Sequence, residues 1–268
     1  MILYLSATGN SRHIARLLSK ALGDSRLVDL SEYMGRHAGK TLSVEPEAGE
    51  RIGFVFPVHS WGLPKGLESV ISSIRAEGCR QNYCYMACTC GDDAGLTARQ
   101  WSKAVTKAGF TPSAAFSVFM PNTYVIFPGF DVDSDSVRDE KLRNAPQTVQ
   151  TIVDRILHND TGDFTHHGSF AILKSRLVYP LFVRFQISDR PFSVSADTCI
   201  SCGLCAKVCP TRNITLETSK GKALPRWHGD CLNCLACYHH CPTRSIAYGK
   251  ISKGKGHYIC NVKKEIKP

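Results

Sequence analysis

The sequence has no run of roughly 18 consecutive apolar residues, so no segment is fit to cross a bilayer. No basic, cleavable leader precedes the first apolar stretch, "MILYL" (1–5), and the expectation is a cytoplasmic protein. The dinucleotide fingerprint G-x-G-x-x-G is absent, which leaves no evident NAD(P)H site. The turn after the first stretch carries no Gly-Lys-Ser/Thr, which argues against a nucleoside triphosphate. Acids are scarce in the second half. Residues 161–268 hold 6 Asp+Glu against 16 Lys+Arg, while residues 1–160 hold 17 of each, so the whole net charge of +10 lies in the second half. No nucleic-acid-binding motif accompanies that charge, and no nucleic-acid partner is expected.

What is present falls into two halves. The first alternates strand-like and helix-like patterns. "MILYL" leads into "GNSRHIARLLSKAL" (9–22), which sets Ile14, Leu17, Leu18 and Ala21 at helical spacing. "SRLVDL" (25–30), "RIGFVFPV" (51–58), "NYCYMACTC" (82–90) and "SAAFSVFMP" (113–121) supply four further strands, with helical segments near 64–76 and 95–108. Five strands alternating with helices imply a parallel α/β sheet covered on both faces. Ligands of such sheets sit beyond the carboxyl ends of the strands, so the turns after residues 5, 57 and 88 should converge. "NTYVIFPGFDVDSDS" (122–136) reads as a long loop in which Asn122 and Tyr124 are candidates to close over that site. A helical stretch expected to bend near Pro146 follows, and "NDTGDFTHHGS" (159–169) reads as a boundary. "KSRLVYPLFVRFQISDRPF" (174–192) is basic and apolar, with Leu177, Leu181 and Phe185 on one helical face. It suits a connector between domains or a segment lying on a membrane surface.

Eight of the 13 cysteines are evenly spaced in the second half. "CISCGLCAKVCP" and "CLNCLACYHHCP" both read C-x2-C-x2-C-x3-C-P, the bacterial run that holds a [4Fe–4S] cluster. Three closely spaced thiolates grip one cluster and the fourth reaches across to its neighbour. One cluster is thus assigned Cys199, Cys202, Cys205 and Cys241, and the other Cys231, Cys234, Cys237 and Cys209. "CPTRNI" (209–214) and "CPTRSI" (241–246) repeat at five of six positions, as a duplicated half would. Zinc ribbons group cysteines in twos and have no use for the third cysteine or the Cys-Pro. This half resembles the two-cluster bacterial ferredoxins over roughly residues 193–249. Each oxidised cluster carries roughly −2, so two offset about four of the ten positive charges. The rest, including Lys250, Lys253, Lys255, Lys263, Lys264 and Lys267, form a solvated basic tail or steer an acidic partner.

With a redox module beside it, "SATGNS" (6–11) acquires a meaning. Alone it is equally a phosphate-binding turn or an ordinary capped helix start. Residues 1–158 resemble the flavodoxins, whose corresponding loop wraps the FMN phosphate with hydroxyls, backbone N–H groups and a helix N-terminus. That resemblance implies the sheet order 2-1-3-4-5. It also implies phosphate contacts from Ser6, Thr8, Gly9, Asn10 and Ser11. The flanking loops around the ring would be Pro57, Val58, His59, Ser60, Trp61 and Gly62 on one side and Thr89, Cys90, Gly91, Asp92 and Asp93 on the other. Trp61 is a candidate to stack on the ring or a core residue. Asp92 and Asp93 either repel negative charge on the ring or are solvated. Cys90 departs from the usual flavodoxin loop, and a redox role for it is a hypothesis.

The whole chain resembles the fused flavodoxin–ferredoxin proteins. The expected organisation is a flavodoxin-like FMN domain (1–160), a connector (161–192), a small α+β two-[4Fe–4S] ferredoxin-like domain (193–249) and a basic C-terminal tail (250–268). The expected function is electron relay between two [4Fe–4S] clusters and FMN, with a redox partner such as an acidic ferredoxin, flavodoxin or reductase. The alternative is an FMN-dependent reductase of a small molecule fed through its own clusters. A redox sensor for an interaction partner is a third class. No catalytic nucleophile or acid–base residue is expected.

Overall fold

The computed structural model describes residues 1–23, 25–35, 41–47, 49–76, 78–219 and 221–261. The strands, in chain order, begin with β1 (Ile2–Tyr4), β2 (Leu27–Asp29), β3 (Ser43–Val44), β4 (Ile52–Pro57), β5 (Arg75–Ala76), β6 (Cys84–Cys90), β7 (Pro112–Phe119) and β8 (Gly162–Phe164). Six of them form one parallel sheet in the order β2-β1-β4-β6-β7-β8. β3 and β5 pair separately.

The first five strands of that sheet keep the order that the flavodoxin resemblance implies. The sixth is a difference: Gly162–Phe164 lies in the stretch read as a boundary. It is short and exposed, so it carries no apolar run to betray a strand. Its hold is local. Phe164 stacks on Phe116 at 5.4 Å between ring centroids, and the Arg155 guanidinium sits 4.3 Å from the Phe164 ring.

β4 and β6 are buried on both faces, which is why they read as continuous apolar runs. Their side chains alternate between two cores. Phe54 and Met86 point to one, with Trp101 of helix α3 (Thr97–Lys107) and Ile71 of helix α2 (Leu67–Ser72). Val55, Tyr85 and Ala87 point to the other. There they meet Ile14 and Leu18 of α1 (Asn10–Ala21) and Val149 and Ile152 of α4 (Asp135–Leu157). α4 is one continuous 23-residue helix with Pro146 inside it.

The second half contains β9 (Phe192–Val194) paired antiparallel with β12 (Ile246–Tyr248), and a hairpin of β10 (Ile214–Ser219) and β11 (Lys222–Trp227). Its core is partly borrowed. Val125 and Ile126, from the long loop after β7, are fully buried among Phe192, Tyr238, Ile246 and Tyr248. Loop 122–133 is therefore the plug between the halves. Residues 171–186 form a helix that widens into i→i+5 turns on both sides of Pro180, whose missing N–H cannot continue the ordinary ladder.

Residues 255–260 differ from a solvated tail. Lys255 Nζ donates to the carbonyls of Val125, Phe127 and Phe130 at 2.6–2.8 Å, so its charge organises the plug loop. Cys260 N–H donates to Thr8 O at 2.8 Å, bringing the last described residues against the "SATGNS" turn. Lys250 and Lys253 are exposed. Lys263, Lys264 and Lys267 lie outside the described residues. Among the described residues no helix is long and apolar enough to cross a membrane.

Candidate functional site

β1 ends in a turn, "SATGNS", that aims the N-terminus of α1 at the carboxyl edge of the sheet. Gly9 caps α1 at φ 99°, a left-handed conformation that a side chain resists. A Cβ there would also stand 2.6 Å from the Cys260 carbonyl oxygen. Around the turn, Asn10 Nδ2 donates to Pro121 O at 2.9 Å, and the Tyr258 hydroxyl donates to Asn10 Oδ1 at 3.0 Å. Ser11 Oγ shares a 2.8 Å hydrogen bond with Thr89 Oγ1, tying the first loop to the third. Asn10 and Ser11 thus use their side chains to position the loop, leaving their backbone N–H groups at the helix start. Ser6 Oγ is buried with no hydrogen-bond partner. An orphaned hydroxyl beside a bare helix N-terminus is a donor set suited to a phosphate.

The second loop reverses sharply. His59 and Gly62 form an antiparallel bridge while Ser60 and Trp61 take φ values of 48° and 65°. Burial pushes the His59 imidazole down to about 4, so it stands neutral in the wall. Trp61 is half-buried on the wall rather than in the core, and Lys174 Nζ lies 5.0 Å from its ring centroid. The same ammonium is 2.7 Å from Asp93 Oδ2. Asp93 is therefore a paired acid and not a solvated one. The third loop is held by its carbonyls: Val58 N–H donates to Thr89 O, Met120 N–H to Cys90 O and Lys141 Nζ to Gly91 O. The Cys90 thiol is pushed up to about 12, chiefly by burial and then by Asp93 and Asp92, so it stays protonated.

These three loops line one cavity of about 670 Å³, within the usual range for cofactor sites. Ser6, Thr8, Asn10, Ser11, Pro57, Val58, His59, Ser60, Trp61 and Thr89 through Asp93 all face it. Gly9 and Gly62 do not. Gly9 shapes the turn, and Gly62 lies under the Tyr179 ring, where a Cβ would clash. Sequence reasoning missed the roof: Leu177, Leu181, Phe182 and Phe185 of the 171–186 helix, with Phe127 and Phe130 of the plug loop. Their apolar spacing was visible. Their position was not, because it depends on Ser175 Oγ donating to Trp61 O and Tyr179 hydroxyl donating to Leu63 O. Tyr124, noted as a candidate closure, lines the cavity with its hydroxyl buried and unpartnered.

The eight spaced cysteines gather into two sets around two small cavities. Cys209, Cys231, Cys234 and Cys237 surround one, and Cys199, Cys202, Cys205 and Cys241 the other. The two halves share a backbone conformation: Ser201, Gly203 and Arg212 have φ 55°, 70° and 50°, and Asn233, Leu235 and Arg244 have 51°, 59° and 53°. Backbone N–H groups approach sulfur from Asn213 to Cys209 (3.3 Å), Asn233 to Cys231 (3.2 Å) and Ser245 to Cys241 (3.2 Å). Such donors stabilise thiolate charge and tune a cluster's potential. Among the described residues no three His, Cys, Asp or Glu side chains converge closely enough to grip one ion. Four sulfurs spread around a void fit a polynuclear cluster.

Residues 198–256 match the family model of the 4Fe-4S dicluster domain. The chain joins a flavodoxin-like domain to a 4Fe-4S dicluster domain. The flavodoxin-like character rests on the order β2-β1-β4-β6-β7. No curated protein matches the chain. Among solved structures, one described as a flavoprotein from Bacteroides uniformis is similar at 14% identity and TM-score 0.32, covering 44% of this chain and 88% of that one. The Trp repressor binding protein from Bacillus subtilis is similar at 13% identity and TM-score 0.28, covering 55% of this chain and 97% of that one.

In this two-domain chain the cavity and the cysteine sets meet. Cys234 and Leu235 line the flavodoxin-like cavity, and Cys234 also faces the void of its own set. The other set lies outward, with Cys202 and Ile200 exposed.

Proposed function

We propose that the chain is an electron-transfer protein carrying FMN in the large cavity and two [4Fe–4S] clusters. The carrying observation is Cys234, which stands in the wall of both the cavity and its cysteine set. When bound, the flavin exchanges one or two electrons and the clusters exchange one each. The chain's part is placement. Ser6, Thr8 and the start of α1 hold the phosphate, and Trp61 and the Thr89–Asp93 loop flank the ring. Lys174 neutralises Asp93, so less repulsion meets negative charge on the ring. Cys199, Cys202, Cys205 and Cys241 would hold the outward cluster, with exposed Cys202 facing a redox partner. Cys209, Cys231, Cys234 and Cys237 would hold the inward cluster, which would supply single electrons beside the cavity.

A second reading is favoured by the aromatic roof. Phe127, Phe130, Phe182 and Phe185 line apolar space at the cavity mouth that a simple carrier has no need of, and a small apolar acceptor would fit there. Both readings require the same cofactors. Anaerobic reconstitution is expected to yield about eight irons and one FMN per chain. A chain that saturates at about four irons, or takes up no FMN, overturns the assignment.

The C-terminal segment belongs to the phosphate site through Tyr258. Replacing Tyr258 by Phe removes one neutral hydrogen bond to Asn10, worth about 1 kcal/mol, so FMN should bind about fivefold more weakly. Fluorescence titration with FMN checks this, and unchanged affinity would detach the segment from the site.

A further inference from the structure

The helix 171–186 shows one edge to the protein and another to solvent. Ser175 and Tyr179 anchor the inner edge. The outer face carries Phe170, Leu173, Leu177, Leu181 and Phe185, which are 77%, 53%, 53%, 48% and 71% exposed. Isolated exposed apolar side chains are ordinary, but five recurring at helical spacing form a contiguous stripe that a soluble surface does not usually leave open. The stretch 170–187, "FAILKSRLVYPLFVRFQI", contains no acid and three cations. Lys174 is used by Asp93, which leaves Arg176 and Arg184 exposed beside the stripe.

We infer that this face docks on an anionic lipid surface. Leu and Phe side chains enter the headgroup–acyl boundary while the flanking arginines meet lipid phosphates, the arrangement of an interfacial amphipathic helix. Charge decides against a second copy of the chain. A twofold contact through this face would set Arg176 and Arg184 of one copy against the same cations of the other, with no acid in the stretch to offset them. Leu177, Leu181 and Phe185 belong both to the stripe and to the cavity roof, so a docked chain turns the cavity mouth toward the acyl chains. The docking itself stands on the exposed stripe and does not depend on what fills the cavity.

The test is anaerobic flotation of the reconstituted full chain with vesicles of phosphatidylcholine alone or with phosphatidylglycerol. Binding is expected to the anionic vesicles, to weaken at high salt as surface charges are screened, and to be at least ~10-fold stronger than to phosphatidylcholine. The double variant F170D/L173D alters the two stripe residues that lie outside the cavity. It should lose at least ~10-fold in vesicle binding, because two buried apolar side chains are replaced by charges. Its iron content should be unchanged, which shows that the fold survives. The charge variant R176E/R184E should lose the preference for anionic lipid. The proposal is overturned if the unaltered chain stays with neither vesicle, or if F170D/L173D binds as the unaltered chain does. It is equally overturned if sedimentation shows a dimer that F170D/L173D dissociates, since the stripe then belongs to a second copy. Flotation reads no electron transfer, so its outcome is separate from that of the cofactor assignment.

Discussion

Replacing Cys234 by Ser is expected to leave about four of about eight irons and to cut the cavity off from electrons delivered at the outward cysteine set. The reason is position. Cys234 is shared between the inner cysteine cavity and the flavodoxin-like cavity, whereas Cys202 is exposed at the far side. Cys202→Ser should also lose about four irons, but from the outward set. In that chain the inward set still adjoins the flavin, so electrons that a small-molecule reductant gives to the inward set pass on to FMN as before. In the Cys234 variant it does not, and flavin reduction falls to the rate at which the donor meets the flavin directly. Rapid-mixing absorbance at the flavin band, with iron determined on the same samples, separates the two. Cys90→Ser serves as the control for the iron counts alone, because its protonated, buried thiol holds no iron in the proposed scheme while its loop flanks the cavity. If Cys234→Ser loses its iron yet reduces FMN at the unaltered rate, the inward set is off the route.

Replacing Ser6 by Ala should move stability and affinity in opposite directions. Ser6 Oγ is buried and unpartnered, and such an orphan costs about 1–3 kcal/mol in the FMN-free chain. Removing it should raise the melting temperature of that chain by about 2–4 °C per kcal/mol regained. With FMN present the same hydroxyl donates to a phosphate, and a hydrogen bond to a charged group contributes about 1.5–3 kcal/mol. Its loss should weaken FMN at least ~10-fold. Calorimetric titration and melting curves with and without FMN measure both. A variant that binds FMN as tightly as the unaltered chain would place the phosphate elsewhere. Gly9→Ala should fail differently, losing affinity and stability together, because its Cβ meets the Cys260 carbonyl and its φ is left-handed.

Much of this was legible in the sequence because its signals are local. The apolar runs at 52–57 and 84–90 are strands buried on both faces, and such strands cannot hide their composition. The cysteine spacing carries its own geometry, since ligands three residues apart reach one cluster whatever surrounds them. The three convergent loops follow from a rule of parallel sheets, and they line one cavity. The edge strand at Gly162–Phe164 escaped notice because three exposed residues leave no periodic trace. Lys255 looked like part of a tail because a charge in sequence gives no sign of the carbonyls that it will meet.

By itself the sequence determined the two modules, the alternation of strands and helices in the first of them and the residue types suited to a phosphate and to iron. Only the tertiary structure decided which of those residues keep a donor to offer. Ser6 is left with an orphaned hydroxyl, while Asn10 and Ser11 are spent on Pro121, Tyr258 and Thr89 across gaps of 78 to 248 residues. It also decided that the inward cysteine set, and not the outward one, abuts the cavity, and that the 171–186 helix roofs it with an apolar face left to solvent. Such contacts depend on how whole domains dock, which is a sum over many side chains, and no short stretch of sequence encodes that sum.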